Sequence, residues 1–422
     1  MVGVSTSLCS RSWLKRLSMT VLQMRVLLSW LCWCAVAQAQ SHSTSSGVDF
    51  PLSRYNAQVG VDVWQFSPTS PERLLMMATN TEWRYRPVSP WGRFDGRLML
   101  SPKATFSLKA RGDQQMGAHV DEFSGDWAFS PSVGVKAGVL DYKTSWCRTY
   151  DIDSPWVREN DPFCTVVSTS GPGGGAPGLQ AYVNLPIGNY RVQSIAGLYN
   201  PLAFNYNTTE FSNLGYALSH VTKNQKRGAS INALNLDTAT EFRVGVLQAQ
   251  QALSAYESWK MPVFQVEQNY ELVFAGVSFY AMPKLNVRMQ TLRHLMVNKE
   301  ISNPAVAGPH TRRGRNLNRT SHVMELNYQA SAEDTFGLAF SKYQYNMTLT
   351  ETNYPLAGYT VYPDSYVYAQ KSVSLAWRRN WPQGVFTVLQ LTRSQLDLND
   401  KDAHIDRATS ANGLGLRLGY QF

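Results

Sequence analysis

The chain ends in GLGLRLGYQF, residues Gly413 to Phe422, in which large apolar residues alternate with small or polar ones. Successive side chains of an extended strand point to opposite faces. One face of this segment therefore carries Leu414, Leu416, Leu418, Tyr420 and Phe422, and the other carries glycine, arginine and glutamine. Aliphatic residues opposite glycine and arginine, closing on an aromatic residue, are typical of a strand with lipid on one side and water on the other.

Similar alternation occurs throughout the chain. Valines at 133, 135 and 139 oppose Gly134, Lys136 and Gly138, and Val373 and Leu375 oppose serines. A soluble β-sandwich also alternates, but it gives no reason for a terminal aromatic residue or for aromatic residues beside the turns. Those aromatic residues match an interfacial girdle, at Phe106, Phe129, Tyr280, Phe336, Trp381 and Phe386. The pattern favours an all-β, transmembrane antiparallel β-barrel.

Composition agrees with a barrel and excludes a helical membrane protein. The 422 residues are 44% hydrophobic and 12% aromatic, with a mean hydropathy of −0.27. After the first forty residues no run of about eighteen apolar residues occurs, which a spanning helix would need. A barrel strand needs only about 9–11 residues, and only alternate ones face lipid.

The N-terminus predicts a cleavable export signal. Basic residues at 11, 15, 16 and 25 precede an apolar core at 26–36, and Ala37-Gln38-Ala39 fits a cleavage site. An anchoring helix would need a longer apolar core, and a lipoprotein signal would need small residues before its cysteine. We predict a signal peptide at 1–39, an N-terminal segment at 40–80 that leads into the barrel, and the barrel at 81–422. Sec export and cleavage near Ala39 would place the protein in the cell outer membrane.

Cleavage also sets the charge and the cysteine content. It leaves 35 basic and 30 acidic residues, a net charge of +5, which is too weak to indicate nucleic-acid binding. Of five cysteines, Cys147 and Cys164 remain. Two thiols in an oxidising compartment should form a disulfide, which would stabilise the fold by about 3 kcal/mol. A metal site is the alternative, but no histidine lies near either cysteine.

The connections alternate between tight turns and longer polar segments. Seven turns are predicted at 101–103, 130–132, 186–189, 237–240, 282–284, 331–334 and 380–384. Eight longer connections are predicted near 87–92, 112–117, 143–177, 200–227, 251–269, 294–319, 346–369 and 397–410. Fifteen connections give about sixteen strands, an even number as in bacterial barrels.

The first five predicted strands carry a concentration of positive charge on the face opposite the apolar one. We name this set the basic wall; it comprises Arg84, Arg86, Arg97, Lys109, Arg111 and Lys136. Inward acids at Asp95, Glu122 and Asp126 would neutralise part of it. Paired surface charges are the alternative interpretation. As a luminal cluster, the basic wall would set a local potential in the pore.

The connection after strand five is long and acidic. It contains Cys147, then Asp151, Asp153, Glu159 and Asp161, then Cys164 and a glycine-rich stretch at 171–178. Folded inward, these acids would oppose the basic wall and create a transverse field across the pore. An extracellular calcium site is the alternative, but the spacing does not match a regular calcium loop.

These features together resemble the sixteen-stranded Gram-negative outer-membrane porins. The segment from Asp141 to Asp151 resembles a little-described proteobacterial subgroup of this superfamily. The resemblance implies a homotrimer in outer-membrane lipid and lipopolysaccharide, with a pore loop whose acids face an arginine cluster. Here those acids would be Asp151, Asp153, Glu159 and Asp161. The familiar porins lack a disulfide in that loop and have a short acidic motif that is absent here.

The expected function is passive diffusion of small hydrophilic solutes and ions, biased toward anions, with no cofactor, metal or catalytic site. The first alternative is a channel selective for a sugar, carboxylate or phosphate. The second is an outer-membrane hydrolase, for which His294 and His322 on adjacent strands near the outer rim are suggestive. A hydrophobic-substrate channel with residues 40–80 as a hatch is the third.

Overall fold

A computed structural model of the chain describes residues 53–67, 88–113, 117–140, 154–157, 176–199, 217–257, 261–302, 311–353, 363–400 and 405–422. Almost all of these residues form β-strands. A short 3₁₀ helix, Pro382–Gly384, occupies one turn. Among the residues described, no helix is long and apolar enough to span a membrane.

Sixteen strands follow one another in chain order. They are β1 Ser53–Ser67, β2 Val88–Ser101, β3 Ala104–Asp113, β4 Gly117–Ala128, β5 Val133–Leu140, β6 Ala176–Ile187, β7 Tyr190–Tyr199, β8 Ala217–Asn235, β9 Glu241–Glu257, β10 Met261–Met282, β11 Leu285–Ser302, β12 Thr311–Gln329, β13 Asp334–Asn353, β14 Pro363–Asn380, β15 Val385–Asp400 and β16 Ile405–Gln421.

Each strand pairs antiparallel with its neighbours in sequence, and β1 pairs with β16 to close the ring. The closing register puts Asp62 opposite Arg417 and Trp64 opposite Gly415. Closure gives each strand a hydrogen-bonded neighbour on both sides, so the sheet has no edge strand, as a sheet in hydrocarbon requires. The predicted fold, a closed antiparallel barrel of sixteen strands, is confirmed.

The seven predicted tight turns all connect consecutive strands. The predicted connection at 87–92 is wrong, because β2 already begins at Val88. The first strand, Ser53–Ser67, lies inside the segment expected only to lead into the barrel, so the barrel starts before residue 81. Several predicted loops are partly strand: β10 spans 22 residues and takes in much of 251–269. Such strands exceed the length that crosses a bilayer, and their polar outer halves look like loops in the sequence.

The predicted strand faces agree with the side-chain positions. In β16, Leu414, Leu418 and Tyr420 are exposed on the outward face, whereas Arg417 is only 3% exposed on the inward face. Trp381 at the turn is exposed, as expected of a girdle residue. Phe386 and Tyr280 were predicted in the girdle, but both lie on the inward face. The ring of Phe386 is buried there, and Tyr280 lines the cavity inside the barrel.

Glycines on the inward face explain where such rings fit. A Cβ at Gly419 would overlap the ring of Phe386, and one at Gly415 would overlap the ring of Trp64. The missing side chains allow both rings to lie flat on the neighbouring strand. The glycines of the C-terminal motif therefore form recesses for aromatic rings on the inner wall.

The inward face is not uniformly polar. A buried apolar cluster lies on it, which alternation alone did not predict, and includes Leu247, Leu272, Phe274, Leu292 and Tyr343. These side chains share their face with Gly245, whose missing Cβ accommodates the Phe274 ring. The inner wall therefore combines apolar and polar surface.

Candidate functional site: a charged luminal cavity

A cavity of about 1050 Å³ lies inside the barrel. The strands β1–β5 line one side of it with basic side chains, of which Arg54, Arg93 and Arg97 are contributed by β1 and β2. Another part of its lining comes from Ser154–Trp156, in the long connection after β5, and from Arg378 of β14. Charged groups therefore border the cavity from separate parts of the chain.

Three members of the basic wall line this cavity: Arg97, Lys109 and Lys136. Arg111 belongs to β3, where its backbone stands opposite that of Arg93 in β2. Its side chain is not among those that the structure describes. Arg84 and Arg86 lie outside the described residues.

Sequence reasoning missed Arg54 and Arg93, which also line the cavity. Arg93 had a usable signal, since it stands four residues before Arg97 and shares its face. Arg54 lies in β1, a strand that the hydrophobic pattern did not reveal.

The inward acids of this region pair with three of its cations. Nζ of Lys109 lies 2.7 Å from a carboxylate oxygen of Glu122, and Nζ of Lys136 lies 3.8 Å from one of Asp126. The guanidinium of Arg93 lies 3.5 Å from the Asp95 carboxylate. The first two pairs join neighbouring strands and the third lies within β2. All three reduce the net charge of this side of the cavity.

Arg54 and Arg97, two further cations of the cavity, differ from these three ion-paired residues in their surroundings. They stand directly opposite each other in the β1–β2 register, and both are exposed to the cavity. Within the described part of the chain, neither makes an ion pair or hydrogen bond. Two adjacent unpaired guanidinium groups in a recess with low-dielectric walls give a positive potential there. Among the side chains that the structure describes, the excess positive charge of this side of the lumen is concentrated at this pair.

Four residues of the long connection are described, Ser154–Val157, which we name the anchor segment. Arg417 of β16 donates to the carbonyl oxygens of Trp156 at 3.3 Å and Val157 at 2.9 Å. The backbone N–H of Val157 donates to Oε1 of Gln390 at 2.8 Å, and Arg378 donates to the carbonyl of Ser154 at 3.3 Å. Three strands thus hold the backbone of the anchor segment against the inner wall.

Side-chain packing reinforces these hydrogen bonds. The ring of Trp156 occupies the space that a Cβ at Gly337 would fill and packs with Ala339 and Ala376. Val157 joins a buried cluster with Trp64, Trp91, Phe386 and Val388. These two residues are largely removed from water, so burial and hydrogen bonding both fix this segment.

The remaining predicted residues of that connection are outside the described residues. They are Asp151, Asp153, Glu159 and Asp161, and Cys147 and Cys164.

The two histidines suggested for a hydrolase do not come together. His294 is buried on the inward face of β11, whereas His322 is exposed on the outward face of β12. Nδ1 of His322 instead forms a 2.9 Å hydrogen bond with the hydroxyl of Thr291. The barrel wall separates the two imidazoles, so they cannot act on one substrate.

Comparisons with known proteins show the fold. No family model matches the chain, and no curated protein matches it. The outer-membrane channel DcaP of Acinetobacter baumannii has a TM-score of 0.51 at 9% identity, covering 88% of this chain and 97% of that one. An anion-selective porin from Comamonas acidovorans has a TM-score of 0.50 at 9% identity, covering 88% and 99%. These two structural neighbours are an outer-membrane channel and a porin.

Proposed function

We propose that this protein is an outer-membrane channel through which small hydrophilic solutes diffuse passively, with a preference for anions. The observation that carries the proposal is the charged cavity inside a closed barrel, in which Arg54 and Arg97 have no acidic partner among the residues that the structure describes. A small anion entering the cavity gains favourable interactions there, while a cation meets repulsion. The basic wall and the +5 charge after cleavage near Ala39 support the same preference.

The proposal includes the acidic connection as one side of the constriction. The anchor segment lies between the two acidic pairs in sequence, since Asp153 precedes Ser154 and Glu159 follows Val157 by two residues. Attachment of the anchor segment to the inner wall supports an inward path for the connection. The acids Asp151, Asp153, Glu159 and Asp161 would then face the lumen and, with the basic wall, produce a transverse field.

Reversal potentials in planar bilayers test the anion preference. In a potassium chloride gradient, the wild type should give a potential that indicates chloride preference. The double substitution Arg54→Gln and Arg97→Gln should move it toward zero. Lys103→Gln, in the exposed turn between β2 and β3, removes a cation outside the cavity and should leave the potential unchanged. Potassium preference in the wild type would refute the anion claim, and absence of conductance would refute the channel.

A further inference from the structure

The outward face of the barrel carries a band of positive charge that plays no part in the pore. Five consecutive strands each contribute one exposed basic residue, which we name the basic row: Arg293 of β11, His322 of β12, Lys342 of β13, Lys371 of β14 and Arg393 of β15. Each alternates with an inward neighbour that is buried, such as Leu292, Tyr343 and Ser372. These side chains therefore point away from the lumen.

The register brings them close together. His322 is directly opposite Lys342, and Lys342 is directly opposite Lys371. Arg293 and Arg393 each stand two residues from this line, beside Thr320 and Val373. Neighbouring strands are about 4.8 Å apart, and like charges directly opposite each other are destabilising. Among the described residues, Arg293, Lys342, Lys371 and Arg393 have no acidic partner. An external anion would relieve this repulsion.

The height of the row fits a lipid headgroup. Lys342 is eight residues from Asp334, where β13 begins at the short-turn rim, and Arg393 is eight from Val385, where β15 begins. Eight residues of a tilted strand rise about 20 Å, close to the height of about 25 Å of the apolar band. Exposed apolar residues fill the interval, namely Met289, Phe340, Val373, Leu375 and Leu391, with aromatic residues at the rim. The row lies at the upper edge of the lipid-facing band.

An apolar groove begins directly below the row. It has a volume of about 790 Å³ and runs across β8–β13 on the outward face. Its floor is low because two small side chains lie among larger ones: Ala233 of β8 stands directly opposite Phe242, and Ala275 of β10 stands between Val244 and Thr291. Its polar edge is formed by Thr291, His322 and Lys342. A groove of this shape accommodates an acyl chain, with the chain's headgroup at the cations.

We propose that the basic row and this groove bind one phosphate-bearing lipid of the outer leaflet, the lipid A part of lipopolysaccharide. Its phosphates contact Lys342, Lys371 and their basic neighbours, and an acyl chain lies in the groove. Phosphate is the headgroup chemistry that clustered Lys and Arg recognise, and long connections of outer-membrane barrels face outward, where this lipid resides. The proposal rests on the outer-membrane location proposed above, but not on conduction.

Native mass spectrometry of the folded protein in dodecyl maltoside, titrated with bisphosphorylated lipid A, tests the proposal. The wild type should retain one lipid A and release zwitterionic phosphatidylcholine. The triple variant Lys342→Gln, Lys371→Gln, Arg393→Gln should bind lipid A about tenfold or more weakly. A matched control removes three cations near the short turns, with Lys103→Gln, Lys284→Gln and Arg379→Gln, and should bind as the wild type does.

A second variant tests the groove without changing charge. Ala275→Trp fills the floor and should weaken lipid A binding while leaving the basic row intact. Unchanged binding in both the triple variant and Ala275→Trp would overturn the proposal, as would equal retention of phosphatidylcholine by the wild type. Bilayer conductance measured on the same preparations separates this result from the channel function, since a variant that loses lipid A should still conduct.

Discussion

Arg417 in the last strand and Asp62 in the first form a two-pronged ion pair across the seam that closes the barrel. Nε and Nη2 of Arg417 lie 2.7 and 2.8 Å from the two carboxylate oxygens of Asp62. The same guanidinium stacks over the ring of Trp91 and holds the anchor segment. One side chain therefore links barrel closure to the position of the long connection.

Replacing Asp62 with Asn should destabilise the folded barrel by about 3 kcal/mol, because it leaves the buried Arg417 without its counter-charge. Urea unfolding of the refolded protein in lipid vesicles, followed by tryptophan fluorescence, measures the change. Glu333→Gln is the control, since Glu333 pairs with Arg379 at an exposed position; its effect should be below about 0.5 kcal/mol. Equal effects of the two substitutions would contradict a special role for the seam pair.

The recess beneath Trp64 gives a second prediction. Gly415→Ala places a methyl group where the indole ring lies, and should reduce the free energy of unfolding by about 1–3 kcal/mol. Combining it with Trp64→Ala should remove the clash, so the double variant should be less destabilised than the sum of the two single variants. Strict additivity in the unfolding measurement would show that the glycine is not required by the ring.

The two faces of the wall should respond differently to a new charge. Leu375 is exposed on the outward face, and Leu375→Arg should destabilise the barrel by about 2–4 kcal/mol at a mid-bilayer depth. Asn56 lines the luminal cavity, so Asn56→Arg should be tolerated and should increase chloride preference. Urea unfolding and reversal potentials together check both statements. Similar destabilisation by both substitutions would argue against the assignment of lipid and lumen.

The predicted Cys147–Cys164 disulfide should affect conduction if the connection narrows the pore. Reduction of the purified protein should change single-channel conductance and increase current noise, because the closed loop becomes a longer flexible one. A Cys147→Ser, Cys164→Ser variant should behave like the reduced wild type and should not respond to reductant. Identical conductance before and after reduction would remove the disulfide from the constriction.

The alternation of apolar and polar residues was enough to predict most strand faces of the barrel. The faces of β16 and the seven tight turns follow from local sequence, because a strand in a barrel must place every second side chain in lipid. The prediction failed where this local rule does not apply. The strand β1 carries Arg54 and Asp62, and its polar residues hide the strand from a hydrophobic pattern. Phe386 is aromatic and lies beside a turn, but it faces inward.

The sequence by itself determined that the chain forms a barrel of about sixteen strands with a charged inner face, since the period of two is a property of each strand alone. It misplaced the first strand. Only the tertiary structure decided which of the described charged groups lack partners within the described part of the chain, and where the anchor segment binds. Arg54 meets Arg97, and Gln390 meets Val157, through register and barrel closure. These contacts join residues far apart in the chain, and no local pattern specifies them.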